Sequence, residues 1–200
     1  VTGASSGMGR EFVRQLSGYV SVDEIWAVAR RASALETLKA ETSVPVRPIV
    51  LDLLEESSFT ELEALLESEK PNVRLLVNAA GFGKFGAYRK IPVEDDCRMI
   101  DLNCKALLLM TRLCVPYMQP GSHILELDSL SAFQPVPYIT TYAATKAFVL
   151  SYSRAMNREL KAQGIRVMAM NPGWVKTEFF NHAFQTNADN EVRYFNRLYE

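Results

Sequence analysis

Two hundred residues, 48% hydrophobic and 22% charged, suit one globular domain with a sizeable core and exclude a disordered or fibrous chain. A formal charge of -1 provides no basic field of the kind that draws a protein to nucleic acid or anionic lipid, so neither is expected as a partner. Three cysteines without a pattern (Cys97, Cys104, Cys114) and two distant histidines (His123, His182) argue against a disulfide framework and against a metal site. No run of eighteen apolar residues occurs, and no basic segment leads into an apolar one at the start, so a soluble, cytoplasmic protein is expected. The chain opens at Val1 without methionine and stops within "EVRYFNRLYE", and it reads as truncated at both ends.

In chain order, "VTGASSGMGRE" comes first, with glycines at 3, 7 and 9 between the end of a strand and a helix predicted over 9–19. Strands are predicted at 24–29, 46–51, 73–79, 123–128 and 165–171, each a short run rich in β-branched and apolar residues. Helices at 32–41, 57–70, 93–118 and 142–164 fall between them, with apolar residues at helical spacing. Strands separated by helices in this way imply parallel crossovers, hence an α/β fold: a single doubly wound parallel sheet of Rossmann type in three layers, α/β/α. No repeat or linker interrupts it, so residues 1–200 are read as one domain.

The glycine turn suits a pyrophosphate. Glycines permit a tight turn and close backbone approach, and the N–H groups of the following helix favour an anion. Its spacing, Gly-x3-Gly-x-Gly, differs from the commoner Gly-x-Gly-x-x-Gly, and a plain loop is the alternative. At the end of the next strand, an acidic residue would bond a ribose 2′-hydroxyl and an arginine would accept a 2′-phosphate. This chain has Ala29-Arg30-Arg31 there, so Arg30 is assigned to the phosphate and NADP(H) is expected rather than NAD(H). Two solvated arginines are the other possibility. Further on, "YAATK" (142–146) sets Tyr142 and Lys146 four residues apart, on one face of the predicted helix. On its own such a pair equally describes a helix surface.

Taken together these motifs resemble the short-chain dehydrogenase/reductases. The resemblance rests on "TGASSGMG" (2–9), Asp52 in "LDL", "NAAG" (78–81), Asn103 in "DLNCK", Ser129 in "LELDSLSA", "YAATK" and "NPGWVKT" (171–177), in that order, with thirteen residues from Ser129 to Tyr142. It implies that Gly3, Ser5, Ser6 and Met8 line the phosphate and ribose turn, and that Asp52 and Leu53 meet the adenine. Asn78, Ala79 and Gly81 would run along the middle of the cofactor, and Pro172, Gly173, Val175 and Thr177 would hold its nicotinamide end. Asn103, Ser129, Tyr142 and Lys146 would be the catalytic set, with Tyr142 and Lys146 also touching the cofactor. Asp128 departs from the usual serine at its position, and Ser131 is a second hydroxyl close to Ser129.

The implied reaction is hydride transfer between NADP(H) and a carbonyl or secondary alcohol. An ordinary tyrosine, with pKa near 10, is a poor acid/base at neutral pH, and Lys146 is expected to lower it by Coulomb attraction. Ser129 would hold the substrate oxygen, and Asn103 would fix a water linking Lys146 to solvent, a buried amide or helix kink being the alternative. The tail 178–200, with Phe179, Phe180, Phe184, Tyr194 and Phe195, reads as a lid over an apolar pocket or as core packing, and 82–92 as the facing wall. Helices 93–118 and 142–164 resemble those through which family members form homodimers or homotetramers. A nucleotide sensor without turnover, or a sugar-nucleotide epimerase or dehydratase sharing Tyr-x3-Lys, would keep parts of this pattern.

Overall fold

The computed structural model describes residues 1–183; Phe184, Tyr194, Phe195 and the rest of the expected lid lie outside the described residues. Five strands fall where the apolar runs predict them: β1 (Ile25–Ala29), β2 (Val46–Val50), β3 (Leu75–Asn78), β4 (His123–Leu127) and β5 (Arg166–Met170). All pairings are parallel, β1 with β2 and β3 with β4 and then β5. The two ladders are joined by the start of the chain, where Thr2 bridges in parallel to both Val28 and Asn78. Thr2 N donates to Val77 O at 2.9 Å and Val28 N to Val1 O at 2.8 Å, so residues 1–2 occupy a strand position between β1 and β3. The order of strands therefore reverses direction at the glycine turn, the place where open α/β sheets bind ligands.

Helices cover both faces. On one side lie α1 (Gly7–Gln15) and α2 (Ala32–Leu38), whose Val13, Leu35 and Leu38 close over Ile25 and Ala27. On the other lie α3 (Glu56–Glu69), α4 (Val93–Ile100), α5 (Leu107–Cys114) and α6 (Thr140–Glu159), with Leu62, Leu66, Met110 and Leu160 buried against Ile49, Leu76, Ile124 and Val167. Burying such side chains stabilises the sheet by about 1.5–3 kcal/mol each. Stop signals act as chemistry requires: α3 ends at Lys70 in a left-handed conformation just before Pro71, and Gly164, with φ 72°, turns the chain from α6 into β5.

The helix predicted over 93–118 is not continuous. Residues Asp101–Ala106 form a π-helical stretch between α4 and α5, an insertion that frequently marks functional sites. A short α7 (Phe179–Ala183) follows the loop after β5. The registers Ala29↔Val50, Asn78↔Glu126 and Leu127↔Met170 align the carboxyl ends of the strands, so the loops after them emerge along one edge.

Candidate active site

That edge begins with the glycine turn. Gly3 holds φ +66°, and a Cβ there would fall 2.8 Å from Ala79 O and 2.9 Å from the Ala80 Cα. A Cβ on Gly9 would stand 2.4 Å from Gly3 O, so only glycine lets α1 approach the turn so closely. Ser5, Ser6, Gly7 and Met8 remain partly open to solvent, and the first N–H groups of α1 lack intrahelical acceptors. This is a backbone cradle with the donors and dipole that suit a pyrophosphate. From the opposite side, Thr177 rests on it, with its Cβ 3.5 Å from a Cβ placed on Gly7.

Of the two arginines after β1, the neighbour of the one singled out by sequence reaches the turn. Arg31 donates through Nη2 to Ser5 O at 3.1 Å and through Nε to Ser5 Oγ at 3.3 Å. Its Nη1 lies 3.0 Å from Glu178 Oε2. Arg30 instead stands 3.7 Å from Asp52 Oδ2, with 65% of its side chain exposed, a pair worth little in solvent. Asp52 also accepts from Leu54 N at 3.1 Å, closing the turn that carries buried Leu53. The Arg31 guanidinium thus flanks the cradle, so a phosphate on the adenosine side has a cationic partner there.

Asn78 and the turn after it are held from behind. Thr2 Oγ1 accepts from Ala79 N and Ala80 N, both at 3.0 Å. The Asn78 amide turns into the core, where Nδ2 donates to Thr111 Oγ1 at 3.1 Å, so its side chain supports the turn rather than lining the cleft. Asn103 is likewise committed to protein partners. It accepts from Phe82 N at 3.0 Å, donates to Phe82 O at 2.9 Å and to Thr145 Oγ1 at 3.1 Å. The π-helical stretch thus aims this buried amide at the 81–82 loop and at α6, where the side chain clamps both.

Ser129, Tyr142 and Lys146 come together at the ends of β4 and α6. The phenol of Tyr142 faces the Ser129 side chain, and Ser131 supports Ser129, its N–H at 3.2 Å and its hydroxyl at 3.0 Å from Ser129 Oγ. Lys146 is 6% exposed, donates to Leu127 O at 2.7 Å, and lies 5.6 Å from the Tyr142 ring centroid. The expected lowering of the tyrosine is corrected here: burial pushes its pKa up, with Asp128 adding to the rise and Ser129 opposing it. Burial also lowers Lys146 to about 8, against the pull of Asp128, Cys104 and Glu126. Both groups are nearly sealed from water, and desolvation sets the direction of each shift. Asp128 is 2% exposed with neither oxygen paired, and burial raises it to about 6 although Lys146 opposes the shift.

Around Tyr142 the lining is aromatic. Phe85, fully buried, meets its ring edge-on at 5.7 Å, and Phe179 lies at 5.5 Å. Trp174 and Phe180 complete the cluster, with Phe180 5.4 Å from Phe179. Phe85 N donates to Ala183 O at 3.0 Å, tying the 82–92 wall to α7. Pro172 O accepts from Leu130 N at 3.1 Å, which sets the 171–177 loop beside Ser129, while Gly173 is exposed and Val175 half-buried. Among the described residues no cluster suited to a metal occurs, and no helix is long and apolar enough to cross a membrane.

A parallel sheet with its switch point at a glycine cradle, and a Ser-Tyr-Lys group on the same edge, define a dinucleotide-binding fold of the dehydrogenase type. A family model described as short chain dehydrogenase matches residues 1–188, and the chain belongs to that family. It is 36% identical over 194 residues to the NADP-dependent 3-hydroxy acid dehydrogenase YdfG of Escherichia coli K12, covering 92% of this chain and 75% of that one. Among solved structures it resembles a short-chain dehydrogenase from Sphingobium yanoikuyae in complex with NADPH, with TM-score 0.82, 30% identity and coverage of 92% and 73%. It also resembles the closed form of a serine dehydrogenase complexed with NADP+, with TM-score 0.81, 34% identity and coverage of 94% and 76%.

Proposed function

We propose that this chain is an NADP(H)-dependent oxidoreductase that moves a hydride between its cofactor and a carbonyl or secondary alcohol, with Tyr142 as the acid/base. The observation that carries this reading is the convergence of Ser129, Tyr142 and Lys146 beside the glycine cradle. Gly3, Ser5, Ser6 and Met8 would hold the pyrophosphate side of the cofactor, Asp52 and Leu53 the adenine side, and 79–81 its middle. Pro172, Gly173, Val175 and Thr177 would hold the far end. The bound nicotinamide supplies or accepts the hydride. Tyr142, kept protonated by burial, is in the form needed to donate to a carbonyl oxygen that is gaining charge. Ser129 presents its hydroxyl to the same oxygen. Lys146, still largely cationic at pH 7, stabilises the phenolate left after donation and stands ready for the ribose.

Arg31 and Arg30 are the proposed partners of the 2′-phosphate, with Arg31 the stronger because it already grips the Ser5 turn. Arg31→Asp should weaken NADPH relative to NADH by on the order of tenfold or more, the scale of a lost charge-assisted bond of about 1.5–3 kcal/mol. Arg30→Asp should shift the ratio less. Titrations of both cofactors by nicotinamide fluorescence check this, and an unchanged ratio in both variants contradicts the phosphate assignment.

Several parts of the reading are supported more broadly. The aromatic cluster favours a substrate with an apolar portion next to its carbonyl. Residues 178–183 are proposed to cover that side of the domain. Exposed Val93, Ile100 and Phe148 on α4 and α6 support pairing into a homodimer or homotetramer. The three cysteines are free thiols, in keeping with a reducing cytoplasm. The test is NADPH consumption followed spectrophotometrically over ketones, aldehydes, quinones and 3-oxo acids. Binding of NADPH without consumption of any of them would favour a nucleotide sensor.

A further inference from the structure

The middle of β4 carries a glutamate that the proposed chemistry does not use. Glu126 is fully buried, and its Oε1 lies 3.0 Å from Thr111 Oγ1 on α5. That same hydroxyl lies 2.9 Å from Leu107 O and receives Asn78 Nδ2 at 3.1 Å. A threonine hydroxyl has one hydrogen and two lone pairs. The Leu107 carbonyl can only accept and the Asn78 amide can only donate. An ionised Glu126 would take the one hydrogen and leave the Leu107 contact without it, so all three contacts are hydrogen bonds at once only when Glu126 itself carries a proton.

We propose that Glu126 is a positioning residue held as a neutral acid, donating to Thr111 and through it fixing Asn78 and the 79–81 turn against the glycine cradle. The turn is the relevant target because it starts at Asn78 and its Ala79 O and Ala80 Cα crowd Gly3. The groups facing Glu126 are Lys146 and Tyr152 from α6, Cys114 from α5 and the Asn78 amide from β3, with Asp128 two residues on along β4. Lys146 is the cation among them, and it is committed to Leu127 O. Its pull and the neighbouring donors do not offset desolvation, which raises Glu126 to about 7. Oε2, which has no partner, gives no further support to an anion. The proton therefore comes off close to neutrality, and the donor to Thr111 is lost with it.

The sign of the pH effect follows. A carboxyl whose folded pKa stands above its unfolded value costs stability as pH rises from about 4.5, the ordinary value, to about 7. Glu126→Gln keeps an N–H donor that cannot ionise. Melting temperatures of the cofactor-free chain and of Glu126→Gln should coincide near pH 4.5, with the variant melting higher at pH 8. For NADPH, dissociation constants from fluorescence titration should agree within about twofold at pH 6. At pH 8 the variant should bind about tenfold tighter, because one pH unit above the midpoint about a tenth of the native chain keeps the donor. Glu126 raises the pKa of Lys146, so Glu126→Gln leaves Lys146 less cationic at pH 8, an effect that runs against the expected gain and cannot produce it.

The part played by Thr111 is checked on a Thr111→Val background, where the Gln change should give no gain in NADPH affinity at pH 8. A pH-dependent gain that persists there overturns the relay. The cofactor part rests on reading 79–81 as cofactor-facing, and the two readouts separate the claims. If the native chain binds no NADPH, the functional reading fails, and coincident melting at both pH values would then remove the proton assignment as well. If NADPH binds and the ratio of dissociation constants is flat with pH, the Glu126 proposal alone is overturned.

Discussion

Tyr142→Phe will fold, bind NADPH within about twofold of the native chain, and lose about 10²–10⁴-fold in kcat, the range assigned to a positioned proton donor. The ring would remain in its place, since the contacts that hold it are aromatic: Phe85 at 5.7 Å and Phe179 at 5.5 Å. What is removed is the hydroxyl that meets Ser129. Removing it leaves Ser129 supported by Ser131, so the geometry around the substrate oxygen survives while the proton source does not. Steady-state kinetics with the best substrate from the screen, paired with NADPH titration, measure the two halves separately. Residual turnover near the native rate would show that the proton comes from elsewhere.

The second large effect is structural in origin. Gly9→Ala places a Cβ 2.4 Å from Gly3 O and 2.7 Å from its carbonyl carbon, with Thr2 O at 3.0 Å. All three are backbone atoms at the junction of chain start, turn and α1, so relief requires moving the cradle itself. Overpacking of this kind costs about 1–3 kcal/mol, and for a chain of this size each kcal/mol lowers Tm by about 2–4 °C. NADPH affinity should fall further than stability alone implies, by about thirtyfold or more, because the displaced N–H groups are those that meet the phosphates. Gly18→Ala is the control: nothing lies within 4 Å of a Cβ there, and neither Tm nor affinity should drop. Equal behaviour of the two variants would contradict the cradle.

The elements were legible because periodicity and punctuation agree. Short β-branched runs became β1 to β5, and Lys70-Pro71 and Gly164 end their helices where backbone chemistry requires. Tyr142 and Lys146 share one face of α6 because four residues make about one turn. What sequence could not supply was direction and depth. Arg30 and Arg31 are adjacent, and which one swings back to Ser5 depends on the exit angle of β1, not on residue type. The π-helical stretch that turns Asn103 toward Phe82 and Thr145 leaves no compositional mark in "DLNCK".

Depth decided the electrostatics. Reading a lysine one turn from a tyrosine predicts a lowered phenol pKa, yet burial of both groups reverses the outcome for Tyr142. A signal for Glu126 was present: an acid in the middle of the apolar strand "HILEL", on the same face as Ile124 and Asp128. A charged residue in a buried parallel strand stands out against its neighbours, but its partner Thr111 comes from α5, and only the fold brings the two together.

The most direct test of the oxidoreductase reading is deuterium transfer from NADPH labelled at the C4 position, with product mass measured after incubation with the carbonyl panel. The expected result is one deuterium on the former carbonyl carbon of at least one product, with transfer falling by about 10²–10⁴-fold in Tyr142→Phe. NADPH bound in the cradle with no label in any product, or label transferred equally by Tyr142→Phe, would contradict it.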